Sequence, residues 1–184
     1  MINILLSVRR PFSGKILSGE KTWELRQNVP RLMKREHVTL WLYESGKDGE
    51  RAIIGKCRMV SFVLMTHMPF GKALGLFIKD ACVSKTRLRT YLPCFAWGVQ
   101  DPVRLPAAVP LSAIGMTRPP QSWQYLTPEQ ADILEQAACR ARVPTAERDC
   151  PNCKHHGLLT KQSPCRDCYP YEDQRLWEPR KEGE

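Results

Sequence analysis

The sequence predicts an α+β fold: a small mixed β-barrel with flanking helices, followed by a tail too poor in apolar residues to build a core of its own. Three observations carry this. Strand-like runs outnumber helical ones and come as short elements without a regular strand–helix–strand repeat, which argues against a doubly wound sheet. A short helix-like segment follows the first strand directly. Near the end of the 184-residue chain, four of its eight cysteines fall into two Cys-x-x-Cys pairs. At 42% hydrophobic the chain can hold one good core plus an appendage. The division expected is a barrel over residues 1–126, a connecting helix over 127–143, and a tail over 144–184.

The elements follow in order. Ile2 to Val8 is apolar almost throughout and reads as a central strand. Pro11 suits the first turn of a helix in "PFSGKILSG", which places Phe12, Ile16 and Leu17 together and ends at Gly19. In "KTWELR", strand alternation puts Thr22, Glu24 and Arg26 on one face and Trp23 and Leu25 on the other. "HVTLWLYE" and "RAIIGKCRMVSFVLM" are two strands joined by the hairpin signal "SGKDG". Their alternation sets Val38, Leu40 and Leu42 against Thr39, Trp41 and Tyr43. Between Thr66 and Leu92 the pattern is weaker, apart from a helix in "SKTRLRTYL" capped by Ser84. "CFAWGV" and "VRLPAAVPL" return to strand character, the second broken by prolines and so expected at an edge. "TRPPQSWQYL" reads as a loop. Thr127 opens the best helix, with a cap, a first-turn proline and a capping-box partner at Gln130; it should run to about Arg142 with Ile133, Leu134, Ala137 and Ala138 along its packed face.

The tail, "DCPNCKHHGLLTKQSPCRDC", has the spacing of a metal site. Each pair, Cys150 with Cys153 and Cys165 with Cys168, lets a tight turn aim two thiolates at one tetrahedral ion, and eleven residues separate the pairs. A redox centre would be expected once, at a helix start; here the motif comes twice in loop-like sequence. His155 and His156 follow the first pair and are the alternative ligands. From Asp149 onward only Leu158, Leu159, Tyr169, Tyr171, Leu176 and Trp177 are large and apolar, too few to offset chain entropy. A structural Zn2+, which contributes roughly 10 kcal/mol or more in small finger peptides, would supply the difference. The other four cysteines, Cys57, Cys82, Cys94 and Cys139, stand among apolar neighbours and are expected as buried thiols.

No run approaches the roughly 18 apolar residues of a membrane span. "MINILLSVRR" has its charges after the apolar run and no cleavage-like site, so it reads as a strand and not a signal peptide. Cytoplasmic residence and no membrane partner are the expectations, and they favour metal over disulfide. Net charge is +9 and uneven. Through residue 35, Arg9, Arg10, Lys15, Lys21, Arg26, Arg31, Lys34 and Arg35 face only Glu20 and Glu24. Such a field draws polyanions, phosphate backbones above all, although a merely soluble basic surface would carry the same charge.

The segment "ILSGEKTWELR", with "ILLSVRRPFSGK" before it and "CFAWGV" after it, resembles the ASCH domain, a group within the PUA-like superfamily. Its Gly-x-Lys-x-x-x-x-Arg pattern falls on Gly19, Lys21 and Arg26, and its Ala-Trp-like pair on Ala96 and Trp97. The tail is similar to zinc-binding tails of phage and bacterial proteins, where paired cysteines precede a Trp-Glu-Pro sequence, here Trp177 to Pro179. The resemblance implies a β-barrel with a cleft between the first helix and the barrel mouth that binds RNA or a modified nucleoside. Arg9, Lys21 and Arg26 are the expected phosphate ligands there; Glu24 can accept from an exocyclic amine, and Tyr43, Trp97 or Trp123 can stack on a base. Core packing is the competing expectation for Trp41 and Trp97.

Some bacterial ASCH proteins deacetylate N4-acetylcytidine with a Lys-Thr-x-Thr-x-Arg segment whose second Thr is the nucleophile, assisted by a downstream Glu. This chain keeps Lys21, Thr22 and Arg26 but has Glu24 at the nucleophile's place, and Asp80 is the only carboxylate between Arg51 and Val99. A binding module for RNA or a modified nucleotide is therefore the leading expectation, with the zinc tail adding surface or contacting a protein partner. One alternative is an amidohydrolase using Lys21, Thr22 and Glu24; the other is a phage-type interaction protein whose basic face blocks a host factor.

Overall fold

The structure, a computed structural model, describes residues 1–31 and 37–139. The chain divides into two units, Met1–Ala137 and Ala138–Glu184; the predicted tail, with Cys150, Cys153, Cys165 and Cys168, lies outside the described residues. The elements are β1 (Ile2–Arg9), α1 (Phe12–Leu17), β2 (Trp23–Arg26), β3 (Val38–Ser45), β4 (Ile53–Met65), α2 (Lys72–Ala81), α3 (Lys85–Tyr91), β5 (Cys94–Val109), a 3-10 turn (Leu111–Ile114), β6 (Trp123–Tyr125) and α4 (Pro128–Cys139). The strands form one mixed sheet in the order β2-β5-β4-β3-β1-β6. β1 pairs parallel with β3, and every other pairing is antiparallel.

Strand alternation makes two faces. Ile4, Leu6 and Val8 of β1 share a buried cluster with Leu40 and Leu42 of β3 and with Trp97 of β5. Trp97 reaches the β1 side chains although β4 and β3 separate them in the ladder, so the sheet curls into a half-barrel. Ile16 of α1 is 2% exposed in the same cluster, which seats this helix over one end. Gly55 lets it approach: a Cβ there would stand 2.5 Å from Leu17 Cδ2 and 2.7 Å from the Val103 carbonyl. On the opposite face, Leu5 pairs with Trp41 and Ser7 with Tyr43, all four buried. α4 lies over this side, since Lys56 bonds Glu135 and its ammonium stands 5.0 Å from the Trp41 ring. A second cluster under α2 and α3 gathers Leu25, Met65, Leu88, Cys94 and Ala96.

Several expectations change. "CFAWGV" and "VRLPAAVPL" form one sixteen-residue strand, β5, whose register against β4 shifts in three places. β2 covers only Phe95 to Gly98 of it, so Pro102 and Pro106 lie where β5 has no ladder partner on that side. Trp123–Tyr125 is a short edge strand on β1 and not a loop. α2, which was not predicted, packs half-buried Leu74, Phe77 and Ile78 against the second cluster and buries Ala81. The capping box of α4 forms, with Gln130 N donating to Thr127 Oγ1 and Thr127 N to Gln130 Oε1. Its packed residues are Ala131 and Leu134, while Ile133 turns outward at 40% exposure. Of the lone cysteines, Cys57 and Cys94 are buried and Cys82 is half-buried.

Candidate functional site

The two edges of the half-barrel, β2 and β6, meet without a backbone ladder between them, and side chains span the seam. Arg26 donates through NH1 to Ser122 Oγ at 3.2 Å and through NH2 to the Ser7 carbonyl at 2.8 Å. Trp123 Nε1 donates to Asn28 Oδ1 at 2.8 Å. The Trp97 and Trp123 rings lie 5.8 Å apart, and Tyr125 stands edge-on to Trp123.

Behind the seam sits a cluster of charges. Arg26 NH2 stands 2.8 Å from Glu24 Oε1, and Lys21 Nζ 3.3 Å from Glu24 Oε2. Lys21 Nζ also donates to the Trp23 and Ala81 carbonyls, and it stands 5.6 Å from the Phe12 ring centroid. Lys21, Glu24 and Arg26 are 2%, 7% and 8% exposed. The local sequence explains the convergence. Alternation along β2 turns Trp23 and Leu25 toward α2 and α3, so Glu24 and Arg26 must face the concave side. Lys21, in the turn from α1 into β2, reaches the same carboxylate from the end of the barrel.

Among the described residues two buried donors here have no hydrogen-bond partner: Arg26 Nε and Trp97 Nε1. Trp97 is directly opposite Glu24 in the β2–β5 register. Cys57 lies close enough to feel Glu24: burial, with that negative charge added, pushes its thiol up to about 12, which leaves it inert as a nucleophile. Beside the cluster a cavity of about 190 Å3 is lined by Lys21, Thr22, Cys57 and Gln100, among others. Thr22 is exposed there, and its backbone is held by Asp80 O and Val99 N.

The structure brings together Lys21, Glu24, Arg26, Trp97 and Trp123 from the predicted set. It places Arg9 and Tyr43 elsewhere. Both belong to the outward alternation of β1 and β3: Arg9 is exposed with no bond to the cluster, and Tyr43 is 6% exposed on the far face, out of stacking reach. Trp97 is fully buried, so its ring offers no open face to a base. The phosphate cradle of Arg9, Lys21 and Arg26 is thus not assembled, because Glu24 already holds both interior cations. Ser122, Ser7 and Asn28 were not anticipated; isolated small polar residues in turns and strands carry no spacing signal. Among the described residues no group of three or more His, Cys, Asp or Glu side chains could hold a metal ion, and no helix is long and apolar enough to cross a membrane.

No family model matches the sequence, and no curated protein sequence matches it. Solved structures do. An ASCH protein from Zymomonas mobilis superposes with a TM-score of 0.59 at 20% identity, covering 73% of this chain and 94% of its own. A serine-to-alanine variant of that protein gives 0.60 over the same shares, and a tyrosine-to-phenylalanine variant gives 0.59 with 96% of its own chain covered. The described domain therefore shares the fold of these ASCH structures: a curled six-stranded mixed sheet with flanking helices.

Proposed function

We propose that the chain is an ASCH-type nucleic-acid-binding module that takes a base of RNA, or a modified nucleotide, at the seam between β2 and β6. The observation that carries this is the seam itself, where the half-exposed Trp123 stands over the buried Lys21–Glu24–Arg26 cluster. Buried ion clusters are poor stability devices, often matched by apolar residues of the same volume. Clusters of coupled buried charges gather at functional sites more often than stability alone would place them. Trp123, half-exposed above Trp97, is the stacking surface, and the exposed cations of this +9 chain take the phosphates.

Fluorescence anisotropy with labelled single-stranded RNA at several salt concentrations tests this. Affinity should fall linearly with salt on a log–log plot, with a slope near −0.7 per phosphate contacted. Trp123→Ala should weaken binding by about 1–3 kcal/mol. Absence of binding, or binding indifferent to salt, would overturn it. The amidohydrolase reading draws no support from Lys21: all three of its N–H groups are engaged, so it has no lone pair to offer as a base.

The tail belongs to the same proposal. Cys150, Cys153, Cys165 and Cys168 hold one structural Zn2+, and the tail so folded extends the RNA surface or docks a protein partner. Native mass spectrometry of the purified chain should show one zinc per molecule, lost in Cys150→Ser together with Cys153→Ser; a metal-free chain would refute this part alone.

A further inference from the structure

β4 outruns one of its neighbours. β3 starts at Val38, opposite Met59, whereas β4 continues to Met65. After a register shift between Met59 and Ser61 the ladder to β5 is regular, from Ser61 opposite Gly98 to Met65 opposite Cys94. This last stretch is therefore held on one side only. In an antiparallel ladder alternate residues turn their N–H and C=O away from the neighbour. Among the described residues nothing but β5 bonds the backbone of Val60 to Met65. Proteins blunt such an edge with charges, prolines or a covering element. The segment "VSFVLM" has neither charge nor proline, and Val60, Phe62, Val63 and Leu64 are each 41% to 57% exposed.

We infer that two copies of the chain join antiparallel along this edge, about a twofold axis at Val63, so that one sheet runs through both. β3 fills the edge as far as Met59 and the strand ends at Met65, which leaves Ser61 to Met65 free with Val63 at the centre. The twofold sets Val63 against its own counterpart and Phe62 against the counterpart of Leu64, so apolar side chains meet apolar ones. No charge lies within the paired length, so none is buried without a partner although each copy carries +9 overall. Beside the strand a cavity of about 290 Å3 is lined by Val63, Leu64, His67 and Phe77, among others, and the 82% exposed Phe70 stands 6.0 Å from His67. Taking a large apolar side chain as about 150–200 Å2, the exposed parts of Val60, Phe62, Val63, Leu64 and Phe70 amount to roughly 400–550 Å2 per copy. The edge backbone, Ser61 and Thr66 add to this, and a specific complex buries about 600–1,000 Å2 per partner. The face therefore suits a small, concentration-dependent dimer. A foreign strand would meet the same backbone, but self-pairing is the case in which this uncharged sequence is complementary to what it meets.

Sedimentation equilibrium of the full-length protein, from about 1 μM to about 1 mM, tests this. The mass should rise from one chain toward two, with half-association at roughly 10–100 μM. Added salt should tighten the dimer, because it screens the repulsion between two +9 chains; its effect on RNA binding has the opposite sign. Hydrogen exchange at Ser61 to Met65 should slow as concentration rises. Val63→Lys sets like charges face to face and should weaken association by about tenfold or more. Val63→Glu alone should do the same, and an equal mixture of the two variants should associate again, which a general loss of folding would not allow. A single-chain mass at about 1 mM, a Val63→Lys protein that associates like the parent, or a mixture no better than its components would overturn the inference. So would slow exchange at Ser61 to Met65 that does not depend on concentration, since another segment of the same chain would then cover the edge.

Discussion

Replacing Lys21 by Met tests whether this lysine works for the fold or for a ligand. Its ammonium is 2% exposed and has three protein partners, the Trp23 carbonyl at 2.6 Å, the Ala81 carbonyl and Glu24 Oε2 at 3.3 Å. Methionine keeps the stem and removes all three. A hydrogen bond to a charged group contributes about 1.5–3 kcal/mol, and breaking a buried ion pair by deleting one member costs about 3–5 kcal/mol. The contacts share one nitrogen and do not add, so about 3–5 kcal/mol is the expected loss. Against a stability of about 5–15 kcal/mol this leaves a marginal domain. Urea titration followed by tryptophan fluorescence reads it as a lower midpoint at unchanged slope. Glu24→Gln alone should cost a similar amount, since it leaves two interior cations without their anion. Lys21→Met with Glu24→Gln should then cost less than the sum by about 1–3 kcal/mol. A single-variant loss below about 1 kcal/mol, or strict additivity in the cycle, would refute the structural role and return Lys21 to the ligand.

Gly75 lies inside α2, exposed, with ordinary helical backbone and nothing within 4 Å of a Cβ, so Gly75→Ala should raise stability by about 0.5–1 kcal/mol in the same titration. Gly55→Ala should do the reverse, by about 1–3 kcal/mol, because the new methyl meets the Val103 backbone carbonyl and Leu17. Glu44 gives a pH signature. Burial alone would raise its pKa, but bonds accepted from Ser13 Oγ, the Glu50 N–H and Arg10 outweigh that and hold it below the ordinary 4.5. A depressed folded pKa contributes stability that is fully present above 4.5 and is lost as pH falls through the lower folded value. Glu44→Gln should therefore flatten the acid side of the stability profile while leaving its slope near neutrality unchanged.

The parts of the molecule legible in the sequence are those where local pattern and tertiary need agree. β1, β3 and the first half of β4 are runs whose apolar period is satisfied by one core, whereas Val60 to Leu64 of β4 are exposed, and the α4 capping box is a purely local device. α2 carries a helical stripe at Leu74, Phe77, Ile78 and Ala81, but with Pro69, Gly71 and Gly75 in or beside it the pattern between Thr66 and Leu92 is too weak to name a helix. Only Gly71, at a positive φ of 57°, marks a helix boundary; Gly75 is helix interior. β6 was unreadable because three edge residues after two prolines have no periodicity to show. At the site, alternation correctly put Glu24 and Arg26 on one face. What it could not supply was the sign of their relationship: counting cations from Arg9 to Arg35 describes a field, whereas the curl of the sheet decides which of them share an anion.

That distinction changes what the seam can hold. Lys21 and Arg26 bring two positive charges and Glu24 one negative, so a single unit of charge remains, spread behind surfaces that are 2% to 8% exposed. A phosphate entering there would have to displace Glu24 from both cations and lose most of its own hydration, and the exchange replaces one buried ion pair by another at best. An uncharged base edge needs no such exchange. On the proposed reading it leaves both ion pairs intact and lays its face on Trp123. On the same reading the phosphates lie on the exposed cations outside, where water screens them and salt competes. Stacking and salt dependence should therefore separate: Trp123→Ala should weaken binding and leave the salt slope alone, whereas neutralising exposed arginines should lower the slope.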